Sequence, residues 1–581
     1  MVKADLKKID EQEVDDLYKK LSNERKELQE KGELPEFFTT AGWQLFKAKY
    51  LSPGESAFER YDSIAKTAAK QASRMYGRSY KHWKEKFFDL LWEGILSPAT
   101  PVLSNMGTNK GCTVSCSGNY VGDSIYDFYE SRKELAMLTK VGFGTSSYLG
   151  NIRGRGAPIS VGGNASGSLP ELKGCVQVMR DVSQGNSRRG AWAGYLEIDH
   201  PDYYEWVTYL FNYPDDCNIG WLITDDFVNR LESGDNDAIA RWKKMLYVKM
   251  ITGKGYIVMI DKINRNRPEC YKKNNLTVKA SNLCTEITLF SDKDHTYTCV
   301  LSSLNLKHWK RINISEDIFN ATVFLDCVCQ EFIDMGKEIT GLEKAVRFTE
   351  KGRALGLGVM GLHTYFQDND MPFESFAAYM ANNQIFKKIH DESLRASKWM
   401  ASIAGEPEWC KGFGIRNTHR TAIAPTTSTA LILGGVSQGI EPIPGNCYNQ
   451  PSAGGEVRRI NPKLIGIMKE REVYNKQTLN DIRDNKGSVQ HVTWLTDEEK
   501  EIFKTAFEMN MRQILKMAEA RQKWIDQTQS LNLFFDADET EQYISEIHKE
   551  AILSDSVLTL YYIRTLAGIQ ASKGEDCVVC E

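Results

Sequence analysis

The sequence predicts an α/β protein, a large catalytic core behind a helical N-terminal region, and three observations carry that prediction. Residues 1–96 place apolar side chains at helical spacing, as in "YDSIAKTAAKQASRMYGRSYKHWKEKFFDLLWEGIL". Between Thr100 and about Trp309 short apolar runs alternate with Gly-rich loops and amphipathic segments. With 581 residues, 41% hydrophobic and 26% charged, the chain has ample material for a large core.

The elements follow in order. "SPATP" stops the N-terminal helices just after Leu96. "DSIYDFYESRKELAMLTK" reads as a helix capped by Asp123 or Ser124. "SNLCTEITL" reads as an extended segment, and alternation then sends Asn282, Cys284 and Glu286 to one face. A strand with a polar face and one incidental cysteine fits the same spacing. After the turn-like "SDKDH", "TYTCVLSSLNL" sets Cys299 on a neighbouring strand. Helices and Gly-rich turns alternate from about Ile314 to Asn475. Among them, Gly356-x-Gly358-x-x-Gly361 is a nominal dinucleotide fingerprint, but charged "EKAVRFTEKGR" precedes it and no second βαβ half follows. These glycines are read as close backbone packing, which sets aside an NAD-dependent dehydrogenase. "APTTSTALIL" places Thr426, Thr427, Ser428 and Thr429 at a helix start, where free N–H groups attract an anion or simply cap the helix. The last hundred residues are helical until the β-rich "SVLTLYYIRTL" and a polar tail ending in "CVVCE".

Composition excludes several classes. A net charge of −4 with scattered Lys and Arg suggests no nucleic-acid or membrane-surface partner. The charged N-terminus is no signal peptide, and no apolar run approaches the roughly 20 residues a bilayer requires. Thirteen cysteines, an odd count without a secretion signal, point to the reducing cytoplasm. Most, such as Cys175, Cys327 and Cys329, are expected to be small buried hydrophobes. The nine histidines form no HxxxH or HExxH arrangement, so no metal site is expected. Only Glu581 follows the terminal Cys577 and Cys580, so no helix can lower their pKa as in a thioredoxin-like motif. A zinc scaffold joining them to Cys112 and Cys116 remains a formal competitor.

Taken together, "SCSGNYVGDS", "SQGNSRRGA", Asn282-x-Cys284-x-Glu286, "CVLSSLNL", "APTTSTA…GIEP", "TLYY" and the terminal CxxC resemble, in that order, the large catalytic subunit of class I ribonucleotide reductases. The likeness runs from about Leu90 to the C-terminus. It implies a ten-stranded α/β barrel over residues 97–565, a helical region over 1–96, a specificity-effector and dimer region near 123–190, and a flexible redox tail over 566–581. It implies a thiyl radical on Cys284, a general base in Glu286, ribose binding by Asn282, and two electrons from Cys116 and Cys299, with Cys112 a bystander. Tyr561 and Tyr562 resemble the stacked pair that relays an oxidising equivalent from a metal-containing small subunit. Cys577 and Cys580 would then shuttle electrons from thioredoxin or glutaredoxin, on a tail long enough to reach about 35 to 40 Å. Pro425 to Thr429 would hold the diphosphate of a ribonucleoside diphosphate, and Thr100, Ser115 and Gly144 match further substrate positions. Asp123, Ser124, Arg153, Ile159, Gln184 and Arg188 match the site for a dNTP or ATP specificity effector in a homodimer. No segment resembles the family's N-terminal ATP cone, so specificity control without dATP shut-off is expected. A cobalamin-dependent class II reductase is the alternative, and the Tyr561–Tyr562 pair argues against it.

Overall fold

The computed structural model describes residues 11–160, 162–184, 188–452 and 455–565. The N-terminal region is helical as expected, with helices Thr40–Lys49, Ala57–Tyr76 and Tyr80–Trp92. Ser56 and Glu59 form a reciprocal capping box at the start of the second, and Gly77 ends it at φ 77°. Its buried face is rich in alanine (Ala65, Ala68, Ala69, Ala72), so it can approach closely the long buried helix Asp317–Gly336.

Five strands form the parallel heart of the sheet: Cys116–Tyr120, Gly144–Tyr148, Trp192–Glu197, Asn218–Ile223 and Tyr256–Met259. Helices connect them, the first being Ile125–Lys140, capped by Ser124. Thr559–Leu560 closes one edge in antiparallel pairing. On the other side the nine-residue strand Tyr297–Asn305 serves three partners. Its start pairs antiparallel with Cys116–Gly118, and its remainder runs parallel to Leu355–Met360 and antiparallel to Leu96–Pro98.

Among the described residues the sheet thus has nine strands, where the family likeness implies ten. Beyond Leu355–Met360 it continues only as single parallel rungs, Leu357 to Thr421 and Ile423 to Gln529. The glycine-rich run is itself the fully buried strand Leu355–Met360, which low strand propensity had concealed. Its glycines do serve close packing. A Cβ on Gly356 would lie 2.3 Å from Leu301 and 3.2 Å from the Cys299 sulfur, and one on Gly358 would lie 2.6 Å from the Ala422 carbonyl. Among the described residues no helix is long and apolar enough to cross a membrane, and no cluster of His, Cys, Asp or Glu could hold a metal.

Candidate active site

Cys116 and Cys299 face one another directly across the antiparallel register. Opposed residues in such a pair have Cα atoms about 4.5–5.5 Å apart, within the roughly 4.4–6.8 Å that a disulfide spans. They can therefore oxidise to one another without a main-chain rearrangement. Cys112, by contrast, packs in the other apolar cluster with Val114 and Val141, and Cys175, Cys327 and Cys329 are fully buried as expected.

The expected strand through Asn282–Glu286 is not there. The chain turns instead: Thr285 N donates to Asn282 O (3.4 Å), Ile287 N donates to Asn282 Oδ1 (3.1 Å), and Thr285 sits at φ 69°. The asparagine side chain offers the main chain a local acceptor that competes with a sheet ladder. Asn282 and Glu286 still meet, and they meet at Cys116, because Asn282 Nδ2 donates to both Glu286 Oε1 (2.9 Å) and the Cys116 sulfur (3.3 Å), while Cys284 lies in the same buried cluster as Cys116. Every residue from Ser281 to Leu289 is buried.

A polar run, Gln527–Ser530, holds this turn from behind, and sequence reasoning missed it. Gln527 Nε2 donates to the Cys299 sulfur (3.5 Å) and to Leu355 O (3.0 Å). Thr528 Oγ1 donates to Thr285 O (2.6 Å), and Ser530 Oγ bonds both Cys284 O and Glu286 Oε2, the latter at 3.2 Å. The only signal was that four polar residues adjoin an apolar "LNLFF" strand; their burial, at 3% exposure or less, is visible only in the fold.

Electrostatics separates the roles. Burial pushes Glu286 up to about 7, while the hydrogen bonds from Asn282 and Ser530 pull the other way. Burial also raises Cys116 well above the usual thiol range, helped by Glu286 and by the neighbouring Cys284 and Cys299. Cys299 is raised by burial as well. These sulfurs are held as S–H groups, suited to giving up hydrogen rather than acting as thiolate nucleophiles.

The tyrosine pair adjoins this cluster. Tyr561 N donates to Leu531 O (2.8 Å), one residue along from the Ser530 that holds Cys284. The rings of Tyr561 and Tyr562 lie 4.1 Å apart, tilted by 47° rather than parallel. A third ring, Tyr256, lies 4.9 Å from Tyr561, and its hydroxyl donates to Tyr562 Oη (3.0 Å). Asn532 accepts from Tyr562 N (3.0 Å) and donates to Glu441 (2.6 Å), a carboxyl that burial raises to about 7. Glu441 belongs to the "GIEP" motif; Tyr256 and Asn532 carried no sequence signal.

A family model described as "Ribonucleotide reductase, barrel domain" matches residues 114–241, 235–413 and 407–563, and one described as "Ribonucleotide reductase, all-alpha domain" matches 36–111. The chain belongs to the ribonucleotide reductase large-subunit family. It is 33% identical to a protein of Frog virus 3 (isolate Goorha), over 86% of this chain and 92% of that one. The ribonucleoside-diphosphate reductase large subunit of Invertebrate iridescent virus 3 is 29% identical, over 94% of this chain and 98% of its own length. Among solved structures, the Actinobacillus ureae class Id ribonucleotide reductase alpha subunit matches with a TM-score of 0.84 at 36% identity, over 91% of this chain and 97% of that chain.

Other positions singled out by the reductase likeness fall into two further groups. Thr426, at φ 57°, precedes the short helix Thr427–Ile432 without a side-chain cap hydrogen bond to it. Its Oγ1 accepts from Gly439 N (2.8 Å), Thr427 Oγ1 donates to Gln438 (2.8 Å), and Ser428 and Thr429 are buried, with Pro425 just before them. The N-terminal region buttresses this helix, since a Cβ on Gly42 would lie 2.8 Å from Leu431 O. Gly144 pairs with Cys116, and Thr100 Oγ1 bonds Tyr50 Oη (3.1 Å). Ser115 Oγ is buried with no hydrogen-bond partner among the described residues.

The second group lies on the surface. Arg153 Nε donates to Asp123 Oδ2 (2.7 Å) and its Nη1 to Pro158 O (2.8 Å), next to Ile159 and beside the Ser124 cap. Gln184 and Arg188 are paired main-chain partners in a two-stranded ribbon. Their side chains, and Cys577 and Cys580, lie outside the described residues.

Proposed function

We infer that this chain is the catalytic subunit of a ribonucleoside-diphosphate reductase, making deoxyribonucleotides by thiyl-radical chemistry. One observation carries the reading: Cys284, Cys116 and Cys299 share a buried cluster with Glu286 and Asn282, joined through Ser530–Leu531 to Tyr561. A sulfur radical can exchange a hydrogen atom with carbon, which acid–base side chains cannot do.

The Cys284 radical takes the ribose 3′ hydrogen, leaving S–H and a carbon radical. Glu286, held near neutral pH, takes the 3′ hydroxyl proton while Asn282 holds the ribose hydroxyls. The 2′ hydroxyl leaves as water. Cys116 and Cys299 supply two electrons and two protons and become a disulfide, and Cys284 returns its hydrogen to C3′. Cys577 and Cys580 then exchange thiols with that disulfide and with thioredoxin or glutaredoxin.

The oxidising equivalent enters through Tyr562 and Tyr561 from a metal-containing small subunit. Substrate diphosphate is assigned to Pro425–Thr429, with Thr100, Ser115 and Gly144 at the ribose side. Asp123, Ser124, Arg153, Ile159, Gln184 and Arg188 are assigned to a dNTP or ATP effector. The exposed Ile125, Tyr126 and Tyr129 on the adjoining helix suit a homodimer contact. We place the enzyme in the cytoplasm, and we read the segment 421–423, held by single parallel rungs beside the nine-stranded sheet, as the tenth strand of the barrel; no observation favours the cobalamin-dependent alternative. The test is reduction of the four ribonucleoside diphosphates with a small subunit from the same source. Wild-type protein should turn over and Cys284→Ser should bind nucleotide without turnover; an active Cys284→Ser refutes the reading.

A further inference from the structure

The turn after the helix Asn236–Thr252 is tied to the tyrosine pair at several points. Lys249 Nζ donates to the carbonyls of Tyr561 (2.5 Å) and Gly255 (2.8 Å). Ile563 N donates to Gly253 O (3.0 Å), and the Tyr256 hydroxyl donates to that of Tyr562 (3.0 Å). Lys249 is 1% exposed, and among the described residues no carboxylate pairs with it. A lysine so placed is costly, because burial disfavours its charge and no carboxylate offsets it. Leucine or methionine would fill the same space at no such cost. What the nitrogen adds is two directed hydrogen bonds to carbonyls on either side of the tyrosine cluster. Burial pushes its pKa down to about 7, yet the neutral amine keeps two N–H donors for the same two carbonyls. The neighbouring buried titratable group is His548, whose pKa burial lowers, with Lys249 adding to the effect.

We propose that Lys249 is a positioning residue for radical transfer, fixing the main chain of Tyr561 against the Gly253–Tyr256 turn and so setting the spacing of the Tyr256, Tyr561 and Tyr562 rings. The proposal rests on the relay reading of Tyr561 and Tyr562. Transfer between rings is sensitive to their separation, and these are held at 4.1 to 5.4 Å by main-chain contacts that Lys249 completes.

The experiment uses the full-length chain with its small subunit and the variants Lys249→Met and Lys249→Gln. Methionine matches the length and donates nothing; glutamine keeps one donor group. Lys249→Met should lower kcat about tenfold or more, as displaced reacting groups do. KM and effector binding should stay within about twofold, and Lys249→Gln should fall between. Wild-type kcat in Lys249→Met, or a loss that runs in parallel with lost nucleotide binding and a lowered thermal midpoint, overturns the proposal. If the methionine variant does not fold, Lys249→Gln decides: reduced kcat with unchanged KM supports it, and normal kcat overturns it. Tyr561→Phe separates the two levels. Full turnover there removes the relay reading itself, whereas an inactive Tyr561→Phe beside normal Lys249 variants removes only this inference.

Discussion

Asp326 and Glu286 are both fully buried carboxylates, and they behave in opposite ways. Asp326, on the helix Asp317–Gly336, receives Arg353 Nε (2.9 Å) and Nη2 (2.7 Å), Asn417 Nδ2 (2.8 Å) and the Tyr76 hydroxyl. Burial alone would raise it, but Arg353, together with Arg416 and the Tyr76 hydroxyl, outweighs burial and holds it below the usual carboxylate range. Glu286 receives neutral donors, its own main-chain N–H, Asn282 and Ser530, burial prevails, and the group sits near 7. Equal burial gives a permanent anion where a cation is supplied and a titrating acid where none is. The first region is a joint, tying the N-terminal helix Ala57–Tyr76 to the residues that enter the strand Leu355–Met360. The second withholds charge compensation where a proton must move.

The contrast predicts a separation of effects. Glu286→Gln should lower turnover by about 10²- to 10⁴-fold, the usual share of a general base. It should not lower the thermal midpoint, and a variant that loses activity only by unfolding would break the distinction. Stability should in fact rise. The folded pKa of about 7 lies above the ordinary 4.5, so the contribution of Glu286 is fully present below pH 4.5 and lost as pH climbs through 7. Above that pH, Glu286→Gln should exceed wild type by up to about 3 kcal/mol in equilibrium unfolding.

Asp326→Asn should do the reverse. Leaving Arg353 buried and unpaired should cost about 3–5 kcal/mol of stability, while the molecules that remain folded keep their turnover. The wild-type contribution of Asp326 is present above its ordinary pKa of 3.8 and is lost as pH falls below it, the opposite window from Glu286. Unfolding curves of the two variants from about pH 2 to about pH 8 check both signs, because that range runs from below the ordinary value of Asp326 to above the raised value of Glu286.

How much of this was readable beforehand follows the same division. Asn282, Cys284 and Glu286 were recognisable as one chemical unit, although alternation along a strand was the wrong reason and an asparagine-anchored turn the right one. A helix cap at Asp123 or Ser124 was plain, because capping is local, and the fold selects Ser124. Cys116 opposite Cys299 came from the family likeness, since register between distant strands has no local signature. Gln527, Ser530, Tyr256 and the Asp326–Arg353 pair were missed because each matters only through partners far away in sequence. The strand Leu355–Met360 was missed because the glycines that let it pack against Leu301 and Ala422 also erase its β pattern.

A smaller effect sharpens the contrast from within the site. Removing the Ser530 hydroxyl withdraws one of the hydrogen bonds that favour the charged form of Glu286. Turnover should rise with pH through about 7 in wild type, and Ser530→Ala should move that midpoint upward by at most about one unit. An unmoved midpoint would mean that another group limits the profile.

The central claim is that Cys116 and Cys299 are the reductant for chemistry begun at Cys284. It is tested most directly by a single turnover without external reductant in a chain whose Cys577 and Cys580 are replaced by Ser, with disulfides then mapped by mass spectrometry. The account predicts one Cys116–Cys299 disulfide for each deoxyribonucleotide formed. Product formed while both thiols stay free, or a disulfide joining either of them to another cysteine, would contradict it.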